Sequence, residues 1–450
     1  MSETAKNVTP RRKFLQDAAK LGAMSVLAGA VVPHVHAAED NTIRLALIGT
    51  GNRGSGAVGD AFSVEGESVK LYAMADLFPN RLEASHNALS KQFGEKVNVP
   101  KERQFLGFDA YRHAIDCLRP GDVALLTTHA GFRATHLEYA VEKGVNVFME
   151  KAFAADPGGI RQIVRAGEEA EKKNLKIGAG LMCRHSSARQ AMIEKICDGA
   201  MGQIELIRTY RMDSGHGMGP WDFQGNELLW QIRRPDQVFW YTSGVFVDWS
   251  IHLIDECCWI KDAWPATAHG IGGRTVNSGD ASQNFDCYSV EYTFPDGTKA
   301  LATGRYIPNC FNDFATFVHG AKCAGQFSGN IHAPTAYICK DQRIVADNIA
   351  WKPEREALSP YHVEWKELLG AIRNNRPHNE ARRAALANLA GLMGRAAVHT
   401  GRVITWEEMM ASSFKFCPNV AGLTADSPAP TRADKQGRYA VPVPGAWSEV

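Results

Sequence analysis

The sequence predicts an α/β protein, with an N-terminal Rossmann-type doubly wound parallel sheet and a C-terminal α+β domain on an open, mainly antiparallel sheet. Three observations carry this. An apolar run at 43–48 leads straight into Gly49-x-Gly51-x-x-Gly54, as a buried strand entering a tight turn reads. Apolar runs then alternate with helical segments as far as residue 179, the rhythm of βαβ units. Beyond that point strands alternate in polarity and one pair is joined at Asp296-Gly297, a hairpin signal.

The first forty residues contain Arg11 and Arg12 ahead of Phe14 and Leu15, then a small-residue apolar run at 21–32 and Val35-His36-Ala37. The run is too short to cross hydrocarbon, and the three parts together read as a secretory signal. The arginine pair resembles a twin-arginine signal, with Gln16 where lysine is common. Residues 1–37 are therefore expected to be removed after Ala37. The twin-arginine translocase is the expected export partner and the periplasm the expected location.

A dinucleotide-binding domain is expected over 41–180. The first glycine permits the turn, the second lets a pyrophosphate approach, and the third lets the helix at 55–62 pack on the strand. Asn52 and Arg53 fill the turn. The next strand, 69–75, ends in Asp76, placed to accept hydrogen bonds from an adenine-ribose diol. An acid there favours NAD, while Arg81 leaves NADP open. Further strands are predicted at 123–127, 145–149 and 176–179, with helices at 133–143 and 158–173. Ligands bind at the carboxyl ends of such strands. Those ends carry Thr128 and His129, then Glu150 and Lys151.

Here the chain resembles the Gfo/Idh/MocA oxidoreductases, which act mostly on sugars and cyclitols. The resemblance rests on GTGNRG, Asp76, TTHAGFRATH at 127–136 (which includes His136) and MEKAFAADP at 149–157. It implies that Gly49, Gly51, Asn52, Arg53, Gly54, Asp76, Arg81, Thr128, His129, His136, Glu150 and Lys151 hold the cofactor. In that family a Glu-Lys-Pro motif sets its lysine between nicotinamide and substrate. Lys151 matches that lysine, with Ala152 in place of the proline.

The second domain, 181–357, is predicted to hold strands at 204–210, 288–294, after the Pro-Asp-Gly turn, 314–318 and 336–339. Its chemical centre is SGVFVDWSIHLIDECCWI, where Asp248, His252 and Asp255 at i, i+4 and i+7 share a helical face. The pattern resembles the family's Gly-Gly-x-x-x-Asp-x-Gly-x-His-x-x-Asp, with Ser243 and Ser250 replacing two glycines. It implies His252 over the hydroxyl to be oxidised. An imidazole suits that proton, a neighbouring carboxylate can hold its tautomer, and a lysine can steady alkoxide charge. Arg211, His216, Trp221, Trp230, Arg233, Arg234, Trp240 and Tyr241 supply flat faces and guanidinium groups for a sugar. Arg184 and His185 resemble an Arg-Arg-His segment of exported relatives. The expected substrate contacts are Arg184, His185, His216, Trp221, Tyr241 and Asp255. An aromatic core under a polar loop is the competing reading of this set, and a buried polar pair is that of Asp248 and His252.

Helical spacing recurs in Trp365, Leu368, Leu369 and Ile372, and in Leu386, Leu389, Met393 and Ala397. Gly401 is placed to end the second helix, and Thr405-x-x-Glu408 reads as a capping box. These helices, within 358–412, are expected to brace the nucleotide domain. The Pro- and Ala-rich segment 413–450 reads as an extended arm that could lie on a neighbouring subunit, and a homo-oligomer is expected.

The 450 residues carry a formal charge of +1 and no long single-sign run, so neither nucleic acid nor an anionic membrane surface is indicated. Ten cysteines without a CxxC pair fit neither a zinc cluster nor a dense disulfide framework. No metal is expected.

The leading expectation is an oxidoreductase moving hydride between a sugar or polyol hydroxyl and NAD. The dinucleotide would be tightly bound, because no free pool exists outside the cytoplasm. The alternative is an NAD-dependent glycoside hydrolase or lyase working through transient sugar oxidation, as some exported relatives do.

Overall fold

The computed structural model describes residues 41–450 apart from 216–224, 235, 276–279 and 334. The signal-like segment and the expected substrate contacts His216 and Trp221 lie outside the described residues. Among those described, no helix is long and apolar enough to cross a membrane.

Eleven elements form the first sheet and its covering helices: β1 (Ile43–Ile48), α1 (Asn52–Phe62), β2 (Val69–Asp76), α2 (Pro79–Phe93), β3 (Gln104–Leu106), α3 (Ala110–Asp116), β4 (Val123–Leu126), α4 (Ala130–Glu142), β5 (Asn146–Met149), α5 (Pro157–Lys172) and β6 (Ile177–Ala179). The strands lie in the order β3-β2-β1-β4-β5-β6, all parallel. Every residue of β4 and β5 is buried, because helices cover both faces of such a sheet. The order reverses between β1 and β4, which places the crevice at the carboxyl ends of those two strands.

The second half contains α6 (Ser187–Cys197), β7 (Ile204–Asp213), α7 (Glu227–Ile232), α8 (Val245–Lys261), β8 (Thr267–Gly273), β9 (Cys287–Thr293), β10 (Lys299–Tyr306), β11 (Asp313–Gly320), β12 (Ala324–Ser328), β13 (Tyr337–Cys339) and β14 (Ile349–Trp351). The remaining elements are α9 (Pro360–Arg373), α10 (Ala381–Thr400), β15 (Ile404–Thr405) and α11 (Trp406–Ala411). The second sheet runs β14-β13-β12-β11-β7-β10-β9-β8-β15. It is antiparallel except for the central β7–β10 pair.

Helix α9 lies on the parallel sheet, with Trp365 stacked on Phe148 at 4.4 Å between ring centroids. Helix α10 is buried on all sides, between α5, α8 and the edge of the second sheet. Gly401 ends it at φ 71°, and the Thr405/Glu408 capping box is formed. The tail folds back onto its own chain. Phe416 N donates to Asp156 Oδ2 (3.0 Å), and the fully buried Glu449 pairs with Arg395 (2.9 Å) and His399 (3.0 Å).

Candidate active site

Strand β1 delivers the chain into the glycine turn. Gly49 has φ +94°, and a Cβ there would lie 2.8 Å from the Thr128 nitrogen. A Cβ on Gly54 would lie 2.3 Å from the Gly49 carbonyl oxygen, whereas one on Gly51 would meet nothing within 4 Å. Helix and strand thus touch at Gly54, and the backbone lies open at Gly51. No side chain caps α1, so the N–H groups of its first turn remain for an anion. This cradle suits a pyrophosphate.

Asp76 ends β2 beside it. Its Oδ2 accepts from Thr50 N (2.7 Å) and Thr50 Oγ1 (2.8 Å), and its Oδ1 accepts from Phe78 N (2.9 Å). The carboxylate is thereby fixed in the wall of a cleft that Gly49, Gly51, Arg81, Thr128, His129 and His136 also line. Arg81 Nη2 donates to the Arg233 carbonyl (3.2 Å). His136 stacks on Tyr111 and meets Thr128 Oγ1 through Nδ1 at 3.2 Å. Burial, reinforced by Arg133, lowers its pKa to about 3, so it is neutral. Burial likewise lowers His129.

Arg53 and Glu150 do not line that cleft. They pair with each other at 2.6 Å, and Arg53 also reaches Asp60 at 2.9 Å. Their place is to tie α1 to the end of β5, while Asn52 is exposed at the start of α1.

Lys151 follows Glu150 directly, through a chain that continues in a cis Lys151–Ala152 peptide. Its Nζ donates to the Asp248 carbonyl at 2.5 Å, so the end of β5 meets the first turn of α8. Helix α10 holds the intervening loop: Phe153 N donates to Asn388 Oδ1 (2.6 Å), and Arg395 Nη1 donates to the carbonyls of Ala155 (3.1 Å) and Ser243 (2.6 Å). Ser243 Oγ also donates to the Ala154 carbonyl (2.6 Å). The serine that replaces a glycine of the resembled pattern therefore binds the lysine loop to α8.

His252 lies one turn beyond Asp248. Its Nδ1 is buried and has no hydrogen-bond partner among the described residues. Burial, followed by the Lys151 charge, holds its pKa well below the usual histidine range. Asp248 Oδ2 is equally buried and unpartnered among the described residues. Burial, then the neighbouring Asp236, raise that carboxyl well above the usual range. The expected carboxylate–imidazole pair is not formed: spacing puts both side chains on one face, but no hydrogen bond joins them.

Other expected substrate contacts have internal partners. Asp255 accepts both arms of Arg184 (2.8 Å each). His185 lies 2.9 Å from Glu367 and 3.6 Å from Glu380. Burial opposes its charge, but the two carboxylates prevail and raise it to about 10. Tyr241 is fully buried, donates to the Gln231 carbonyl (2.7 Å) and meets His129 edge-on. All four side chains are thus engaged within the chain.

Two residues absent from the sequence expectations sit at this centre. His332 Nδ1 lies 3.3 Å from the Tyr361 hydroxyl, and Arg53 lies over the Tyr361 ring at 4.9 Å. Among the described residues, no group of three or more His, Cys, Asp or Glu could hold a metal ion.

No family model matches the chain. Among curated proteins it is similar to a glycosyl hydrolase family 109 protein of Shewanella pealeana, 25% identical over 217 residues, or 47% of this chain and 44% of the relative. It thus spans about half the length of the curated relatives it matches. Among solved structures it is similar to aldose-aldose oxidoreductase from Caulobacter crescentus complexed with glycerol. The TM-score is 0.62 at 16% identity, covering 81% of this chain and 99% of that one. A second is scyllo-inositol dehydrogenase from Lactobacillus casei with bound NAD(H) and scyllo-inositol, with TM-score 0.58, 19% identity, and 81% and 99% covered. The fold is the one expected from the resemblance to Gfo/Idh/MocA oxidoreductases.

Proposed function

We propose that this protein is an NAD(P)-dependent oxidoreductase that moves hydride between a sugar or polyol hydroxyl and a tightly held dinucleotide. The observation that carries this is the 2.5 Å contact between Lys151 Nζ and the Asp248 carbonyl, which brings the lysine to the helix that carries His252. The dinucleotide, held by the turn at Gly49, Gly51 and Gly54 and by Asp76, supplies the hydride acceptor. Asp76 favours NAD over NADP, since a carboxylate repels a 2′-phosphate.

His252 takes the hydroxyl proton, since its depressed pKa leaves the imidazole neutral at neutral pH. Lys151 Nζ steadies the developing alkoxide. The raised pKa of Asp248 lessens the competing negative charge beside it. Lys151→Met and His252→Ala should each lower turnover by about two to four orders of magnitude while dinucleotide still purifies with the protein.

Export by the twin-arginine route to the periplasm, with the dinucleotide loaded beforehand, fits Arg11, Arg12 and the apolar run after them. Arg11→Lys with Arg12→Lys should leave precursor in the cytoplasm. A homo-oligomer belongs to the same proposal, and light scattering of the mature protein tests it. A second reading, a glycoside hydrolase or lyase that oxidises the sugar transiently at the same site, draws support from the curated relatives named as glycosyl hydrolases.

A further inference from the structure

Arg211 lies near the end of β7, with its side chain 15% exposed. Its guanidinium lies over the Trp249 ring at 4.8 Å and over the Phe314 ring at 4.1 Å to centroid. Nη1 is taken by Asp213 Oδ2 at 2.6 Å. Nε is buried and has no partner among the described residues. The Nε–Nη2 edge, which a carboxylate engages with two parallel bonds, therefore holds the unpartnered N–H. A buried N–H left without an acceptor is costly.

Arg211 connects to the surroundings of His252 through Trp249 and Phe314. Trp249 follows Asp248 on α8 and donates from Nε1 to Asp236 Oδ2 at 2.9 Å. His332 meets Phe314 edge-on at 5.7 Å. Burial, then the charges of Arg211 and Lys151, lower His332, and His332 in turn bears on His252. Arg211 and Lys151 are thus the cations that bear on His332, beside the carboxylates of Asp213 and Asp236.

We propose that the substrate is a sugar acid, a uronate or aldonate, whose carboxylate docks on the Nε–Nη2 edge of Arg211 while a ring or chain hydroxyl meets His252. The assignment deepens the oxidoreductase reading and rests on it. It makes Arg211 a specificity-determining residue, with Trp249 and Phe314 holding the guanidinium plane.

The test offers the purified holoenzyme glucuronate and gluconate against glucose, myo-inositol and glucose 6-phosphate, and measures kcat/KM by cofactor reduction and affinity by calorimetry. A sugar acid should exceed its neutral counterpart by about ten- to hundredfold, the worth of a hydrogen-bonded charge pair. Arg211→Met should collapse that ratio mainly through KM. Arg211→Lys, which keeps charge but not the fork, should recover only part of it. If both variants misfold, the parent enzyme's preference alone decides. Equal or better use of the neutral sugars overturns the proposal and leaves the oxidoreductase reading standing, and a preference for the phosphate overturns the carboxylate. A sugar acid that binds with the stated preference yet never reduces the cofactor would instead support the docking edge and sink the oxidoreductase reading.

Discussion

Lys151 Nζ donates to the backbone carbonyl of Asp248 at 2.5 Å, not to a carboxylate. The ammonium therefore keeps its charge unpaired by an acid at that contact, while its position is fixed by the helix that carries His252. One strand end and one helix turn, about a hundred residues apart in sequence, become a single site.

Asp248 is predicted to act as an uncharged group. Asp248→Asn, close in shape to the protonated acid, should keep kcat/KM within about tenfold of the parent, a barrier change of about 1.4 kcal/mol. A loss of several orders of magnitude in steady-state assays would show that a carboxylate is needed.

The pH profile follows from His252. Its pKa is held below the ordinary value of about 6.5. A depressed pKa means that the proton-free base persists as pH falls. The acid limb of kcat/KM should therefore lie below pH 6.5, and His252→Ala should remove it. A limb at or above 6.5 that disappears with His252 would contradict the burial argument.

Gly54 is predicted to be intolerant of any side chain. Gly54→Ala sets a Cβ 2.3 Å from the Gly49 oxygen. It should cost about 1–3 kcal/mol by overpacking and deform the turn. Thermal melts should show the loss, and less dinucleotide should be released on denaturation.

Glu449, one residue from the chain end, is predicted to hold the site together from a distance. It pairs with Arg395, which bonds both the loop after Lys151 and the residue before Gly244. Glu449→Ala leaves a buried guanidinium unpaired, a loss of about 3–5 kcal/mol that chemical denaturation measures. A variant with parental stability would place the clamp elsewhere.

Much of the frame was legible because single physical causes shaped it. Strands β1, β4 and β5 read as apolar runs since both their faces are covered, and α8 read as a helix from its i, i+4, i+7 set. Strand β8, TAHGIGG, was not legible. A Cβ at Gly270 or Gly272 would meet Val398 of α10 at 2.8 or 2.6 Å, so close packing selects glycine and removes the strand signal. Spacing placed Asp248, His252 and Asp255 on one face. It could not say that Asp255 would turn to Arg184 and that Asp248 would leave His252 alone. His332 and Tyr361 meet only through the second sheet and α9, and neither carries a local pattern. The tail read as an extended arm because it is rich in proline and alanine and lacks periodicity, which hides the burial of Glu449.

The central claim is that the sugar passes hydride to a resident dinucleotide at the Lys151/His252 site. Its most direct measurement is near-ultraviolet absorbance of the purified holoenzyme mixed with sugars, polyols and glycosides, without added acceptor. The account predicts one stoichiometric rise of reduced dinucleotide, then a stall until a second carbonyl compound is supplied, with no rise in Lys151→Met. Repeated aglycone release over many turnovers without lasting absorbance change would contradict it and assign the same residues to glycoside cleavage.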